Sequence, residues 1–136
     1  MRLKAECLEK SNDNLIVFKE NKSKLTLVNE RKLACSKIKV DGCQIVEGLK
    51  CDYALFNDEV ECYIELKGQD IKHAFKQLIA TMEKLSNQPQ KAPKISFVIC
   101  TRSPLATAEI QDMQLKFKRD YNSKLLVRSK DYEHSI

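Results

Sequence analysis

Two short runs hold the residue types that phosphodiester hydrolysis needs: Cys51-Asp52-Tyr53-Ala54-Leu55-Phe56, and Glu61-Cys62-Tyr63-Ile64-Glu65-Leu66-Lys67-Gly68. Both are strand-like, and in a strand alternate residues share a face, so Glu65 and Lys67 point one way while Ile64 and Leu66 point into the opposite layer. If Asn57-Asp58-Glu59 is a hairpin turn, residues equidistant from it come opposite each other, which sets Asp52 beside the Glu65 end of the second strand. Two carboxylates a few ångströms apart repel, and an oxygen-liganded cation relieves the repulsion. Mg²⁺ takes one or two carboxylates with waters and a substrate phosphate. The Leu66 carbonyl, between the polar side chains, is a further candidate ligand. Lys67 is placed to orient an attacking water or to offset the charge growing on the transition state. The plain alternative is an exposed, salt-bridged hairpin worth under about 1 kcal/mol.

The flanking elements must hold these residues still. Residues 2–10 have the spacing of a short amphipathic helix, with Leu3, Cys7 and Leu8 on one face. Leu15–Phe18 and Leu25–Val28 read as a hairpin around Glu20-Asn21-Lys22-Ser23. Ser36–Val40 alternates polar and apolar, and Asp41-Gly42 then predicts a turn into a strand at Cys43–Val46. Gly68 ends the strand that carries Glu65. Asp70 can cap a helix whose apolar positions are Ile71, Ala74, Phe75, Leu78, Met82 and Leu85, closing before Pro89. Ile95–Cys100 suits a central buried strand. Ser103-Pro104 opens a second helix, roughly 105–120, with Leu105, Ala108, Met113 and Phe117 apolar. Leu125–Arg128 returns as a last strand, and the tail from Asp131 to Ile136 reads as frayed. The expectation is one mixed α/β layer structure over residues 1–136, without a linker or internal repeat.

Asp52, then Glu65-Leu66-Lys67 after 12 intervening residues, then a helix, a buried strand and another helix, resembles the PD-(D/E)xK nuclease superfamily. The likeness covers roughly residues 43–128. It implies a restriction-endonuclease-like α/β fold, a mixed sheet with an αβββαβ core flanked by helices, here with an extra N-terminal β-hairpin. It also implies a Mg²⁺-dependent nuclease, Mn²⁺ serving as well, with Asp52, Glu65 and the Leu66 carbonyl as metal ligands and Lys67 as the water-positioning cation. Gln77 matches a helix glutamine that some members use. Cys51 stands where the family has Pro, and Thr81 where an aromatic sometimes follows that glutamine. Glu6 and Glu9 match no motif for a further acidic ligand. Glu-x-Lys also occurs at Glu20-Asn21-Lys22 and Glu30-Arg31-Lys32, so the strand and helix around Glu65 supply the weight.

Composition is compatible with that reading. In 136 residues, 24 Lys and Arg face 19 Asp and Glu, a net charge of +5 that suits a polyanionic partner such as DNA. A homodimer or a larger nucleic-acid-processing complex would supply specificity that so small a chain lacks. The alternative function is a catalytically inactive nuclease-fold module that binds nucleic acid or a protein. No run of 18 apolar residues exists, and the N-terminus lacks the stretch of a signal peptide, which predicts a cytoplasmic protein without membrane insertion. The six cysteines form no C-x-x-C pair and sit in apolar runs, so they read as buried reduced thiols in a reducing compartment. A zinc site on Cys43, Cys51 and Cys62 is the weaker alternative. His73 reads as a helix-surface residue. Tyr63 either packs beside the site or covers the sheet. Lys37 and Lys39 either form a phosphate-contacting ridge or guard a strand edge.

Overall fold

Val17 and Leu15 alternate with Ile16 and Phe18, and this period of two continues from strand to strand until the Asp70 cap changes it to the helical one. The computed structural model describes residues 2–66, 70–102 and 107–136. Lys67, Gly68, the Ser103-Pro104 helix start and Leu105 lie outside the described residues. The strands are β1 (Leu8–Ser11), β2 (Leu15–Glu20), β3 (Ser23–Val28), β4 (Cys35–Lys39), β5 (Tyr53–Phe56), β6 (Glu61–Leu66), β7 (Lys94–Cys100), β8 (Ser123–Ser129) and β9 (Asp131–Ser135). The helices are α1 (Ile71–Leu85) and α2 (Thr107–Tyr121).

Three layers result. A six-stranded sheet of order β1-β4-β5-β6-β7-β8 lies in the middle, antiparallel from β1 to β6 and parallel from β6 to β8. Phe75 and Leu78 of α1 and Phe117 of α2 pack on one face against Ile38, Ala54 and Tyr63. A three-stranded sheet, β2-β3-β9, covers the other, where Phe18, Leu25 and Leu27 meet Leu55, Ile64 and Phe97. Each of the fully buried Phe, Leu and Ile side chains among these contributes about 1.5–3 kcal/mol by leaving water. The fold is thus mixed α/β, and the N-terminal hairpin supplies two of the three strands of the smaller sheet.

Helix α1 begins where predicted. The Asp70 carboxylate accepts the His73 N–H at 3.1 Å, and Ala74, Phe75, Leu78, Met82 and Leu85 are buried as the spacing requires. The hairpins β2–β3 and β5–β6 agree with expectation, and β7 is a buried interior strand, fifth of the six and next to the edge strand β8.

Four expectations are corrected. Residues 2–10 form no α-helix: a 3-10 turn at Ala5–Cys7 leads into β1, which pairs with β4, because so short a helix is marginal while a free strand edge offers its backbone a full ladder. Cys43–Val46 is no strand. Gly42 does adopt a positive φ of 77°, but both edges of β4 are taken by β1 and β5, so the chain folds back on itself with Ile45 N–H donating to the Val40 carbonyl at 2.9 Å. The tail is ordered. Lys130, at φ 56°, turns the chain from the large sheet to the small one, where β9 pairs in parallel with β3. Finally, Cys7 and Cys43, 36 residues apart in sequence, are joined as a disulfide with Cα atoms 5.7 Å apart, while Cys35, Cys51, Cys62 and Cys100 are buried free thiols. Pairing β1 with β4 is what brings those two cysteines together. With Cys43 in that bond, the three-cysteine zinc reading fails.

Lys94 opens β7 and is 3% exposed. Its ammonium donates to the carbonyls of Gln88, Ala92 and Tyr121 at 3.1, 2.7 and 2.9 Å, tying the α1–β7 connection to the end of α2. Lys94→Met leaves those carbonyls without their donor and is expected to cost about 3 kcal/mol, read by urea unfolding. On β9, burial first, then Lys124 and Arg128, hold the His134 imidazole below its usual range, with its ring edge-on to Phe97 at 5.4 Å. Because the folded state binds this proton less well than the unfolded chain, the contribution is present above the ordinary histidine pKa of about 6.5 and fades as pH falls below it. The melting temperature of the wild type is therefore expected to fall more steeply than that of His134→Phe between about pH 7 and about pH 5.

Candidate functional site

The C-terminal ends of β6, β7 and β8 and the start of β5 share one margin of the large sheet, beside the first turn of α1. Both crossover helices cover the same face, so this margin is no switch point of a doubly wound sheet, and its candidacy rests on the acids it carries. Asp52 and Glu65 both lie at this margin, and they are 4% and 6% exposed.

Asp52 straddles Glu65. Its backbone N–H donates to the carbonyl of Ile64, the residue before Glu65, at 3.1 Å. Its carboxylate Oδ2 accepts the N–H of Leu66, the residue after Glu65, at 2.7 Å. The ladder pairs Tyr53 with Ile64, which makes Asp52 and Glu65 the next residues along it. Counting from the turn predicts that the two residues face each other, and the ladder sets them at facing positions with one refinement. Cys51 and Ala54 both pack in the helix-side core, so strict alternation breaks between them, and the chain bends at Asp52. That bend turns the Asp52 carboxylate onto the backbone of β6.

The segment before Asp52 is held from α1. Gln77 donates from Nε2 to the Lys50 carbonyl at 3.0 Å. Thr81 accepts the Cys51 N–H on Oγ1 at 2.8 Å and donates the same hydroxyl to the Gln77 carbonyl at 2.8 Å. Gln77 therefore acts on Asp52 through the backbone two residues earlier, as a positioning residue. Thr81 has the same duty and was missed; its signal was a hydroxyl next to Met82 on the apolar stripe of the helix. The Asp52 carbonyl in turn accepts the N–H groups of Val40 and Asp41 at 3.0 and 3.3 Å, so the loop after β4 grips it from the other side.

Leu66 is fully buried in the layer opposite the helices, as alternation predicts, along with Ile64. Tyr63 resolves toward covering the sheet: it is fully buried, donates its hydroxyl to Glu61 Oε1 at 2.8 Å, and packs edge-on to Phe56 at 5.8 Å. Burial, with Glu61 beside it, pushes the Tyr63 phenol far above its usual range. Lys37 stands on β4, an interior strand, and reaches across to the smaller sheet: its ammonium donates to the Val17 carbonyl at 2.6 Å and lies 4.7 Å from the Phe18 ring centre. Lys39, Glu6 and Glu9 line an open cleft on the β1–β4 side together with Tyr53. His73 is exposed on α1.

Carboxylate and carbonyl oxygens are hard donors, the kind Mg²⁺ and Mn²⁺ prefer, so Asp52, Glu65 and the Leu66 carbonyl fit such an ion in chemical type. Two carboxylates suffice for Mg²⁺ when waters and a phosphate complete the shell. Among the described residues no group of three or more His, Cys, Asp or Glu side chains could hold a metal. Among them, too, no helix is long and apolar enough to cross a membrane. No protein-family model, curated protein or solved structure matches the chain.

Thr81→Val leaves the buried Cys51 N–H without an acceptor. It is expected to cost about 2 kcal/mol in urea unfolding, against about 1 kcal/mol for Gln77→Ala, whose lost partner is a carbonyl in a half-exposed loop.

Proposed function

We propose that this chain is a Mg²⁺-dependent nuclease, of restriction-endonuclease-like fold, that hydrolyses phosphodiester bonds in DNA. The observation that carries the reading is that Asp52 and Glu65, both buried, stand at facing positions at the margin where parallel strands end, with Asp52 fastened to the backbone on either side of Glu65. Such a pair is costly to bury as like charges, and a shared divalent cation is one way to offset that cost. A bound Mg²⁺ supplies an activated water and neutralises charge on the phosphoryl oxygens. Asp52 and Glu65 would hold it, with the Leu66 carbonyl. One N–H takes one of the several lone-pair sites of a carboxylate, so the Leu66 bond orients Asp52 without disqualifying it as a ligand. Lys67, two residues after Glu65, would position the water, and Gln77 would keep Asp52 in place through Lys50. The excess of five positive charges favours the phosphate backbone, and a homodimer or larger complex in the cytoplasm remains part of this proposal.

A second reading is an inactive module of the same fold that binds nucleic acid or protein. The Asp52–Leu66 bond favours it, because a carboxylate that fastens two strands has a structural reason to be there.

One assay separates the readings. Wild type, Glu65→Gln and Lys67→Met are incubated with linear, single-stranded and branched DNA in Mg²⁺, Mn²⁺ or EDTA. The nuclease reading expects cleavage that EDTA abolishes and that both substitutions reduce by about 100-fold or more. Cleavage indifferent to EDTA, or equal in all three proteins, sinks it. Binding without cleavage, retained in Asp52→Ala, supports the inactive module.

A further inference from the structure

The loop that grips the Asp52 carbonyl is itself fastened to the N-terminal segment. Val40 and Asp41 donate to that carbonyl, and the Val40 carbonyl accepts the N–H groups of Cys43 and Ile45 at 3.2 and 2.9 Å. Two links run outward from there to the segment before β1. The first is polar: Gln44, 2% exposed, accepts the Lys4 N–H at 2.8 Å and donates to the Arg2 carbonyl at 2.9 Å, and Lys4 Nζ donates to the Cys43 carbonyl at 3.1 Å. The second is the Cys7–Cys43 disulfide. Strand pairing begins only at Leu8, so this bond is the covalent end of a chain of contacts that runs through Cys43 and Val40 to Asp52.

From this placement we infer that the Cys7–Cys43 disulfide is a redox latch: closed, it holds the loop of residues 40–45 against Asp52, and its reduction by a dithiol loosens that grip and weakens the site. The regulatory part of the inference rests on the nuclease reading above; the mechanical part does not.

The pair is reachable. Cys43 is half-buried, and an open cleft of about 390 Å³, lined by Glu6, Cys7, Lys39 and Tyr53 among others, lies on the Cys7 side. The remaining thiols are poor competitors. Cys35, Cys51, Cys62 and Cys100 are buried, and burial raises Cys35, Cys62 and Cys100 above their usual range, Cys62 to about 12, so the thiolate fraction of those three is small. Opening the latch is ordinary thiol–disulfide exchange. One thiolate of the dithiol attacks a sulfur of the pair, forming a mixed disulfide and releasing the other cysteine as a thiolate, which takes up a proton. The second thiol of the reagent then displaces the remaining cysteine sulfur. Two electrons pass in all, leaving two cysteine thiols and one reagent disulfide.

The test compares the oxidised full chain, the same chain reduced with dithiothreitol, and Cys7→Ser, by residue-resolved amide hydrogen exchange and by Mn²⁺ titration. The latch expects the Val40 and Asp41 amides to exchange about tenfold faster or more in both opened forms, with Phe97 and Val98 of β7 unchanged. It also expects Mn²⁺ affinity to fall about tenfold, as when groups supporting a ligand are lost. Reoxidation of the wild type restores both. Unchanged Val40 and Asp41 amides overturn the latch whatever Mn²⁺ does. Acceleration spread equally over β7 overturns it too, since that marks a general staple. If the amides respond while the oxidised chain binds no Mn²⁺, the latch stands as a mechanical device and the nuclease reading fails.

Discussion

A strand buried on both faces can carry charge only where something answers it, and β6 is buried along all six of its residues, Glu61 and Glu65 included. The helices lie over one face and the small sheet over the other, so no side chain of this strand turns into bulk water. At its first residue the requirement is met internally. Glu61 receives the Tyr63 hydroxyl, and the neighbouring Lys94 spends its ammonium on three carbonyls. That end is closed structure. At the other end stands Glu65, bracketed by the backbone and carboxylate contacts of Asp52. One strand thus carries two buried acids with different surroundings, and only the second lies at the carboxyl margin of the parallel strands.

Asp52 is held from three directions: the backbone of β6, the loop after β4, and helix α1 through Lys50 and Cys51. Most of these bonds involve backbone groups of a chain that bends there and can no longer use a regular ladder. Buried peptide groups must find partners, and here Thr81 and Gln77 provide them from a helix whose other residues on that stripe are apolar. Fixing a carboxylate this firmly is what preorganised chemistry needs, because small displacements of a ligand-holding group are expensive to catalysis.

Several local features were legible along the chain. The turn at Asn57-Asp58-Glu59, the Asp70 cap, the stripe from Ile71 to Leu85 and the run Ile95–Cys100 each depend on neighbours within a few residues, and each is found as read. So is the juxtaposition of Asp52 with Glu65, since a short hairpin fixes which residues meet. What failed depended on distant partners. Residues 2–10 have helical spacing, yet β4 had an open edge for Leu8–Ser11 to join. Cys43–Val46 has strand-like composition, yet no edge was left for it. The polar tail has few apolar residues, yet Tyr132 and Ile136 find the second core once Lys130 turns the chain.

By itself the sequence determined the hairpins β2–β3 and β5–β6, the cap and apolar stripe of α1, the run of β7, and which acids stand at the end of a hairpin, because these follow from contacts between near neighbours. Only the tertiary structure decided that Cys7 meets Cys43, that Lys37 turns to Val17 instead of solvent, that Thr81 holds Cys51, and that the hairpin and the tail make a second sheet. Each of those joins residues at least 20 positions apart or depends on which strand edges are already occupied. Competition for edges and for buried hydrogen-bond partners is settled across the whole chain at once, and no local pattern encodes its outcome.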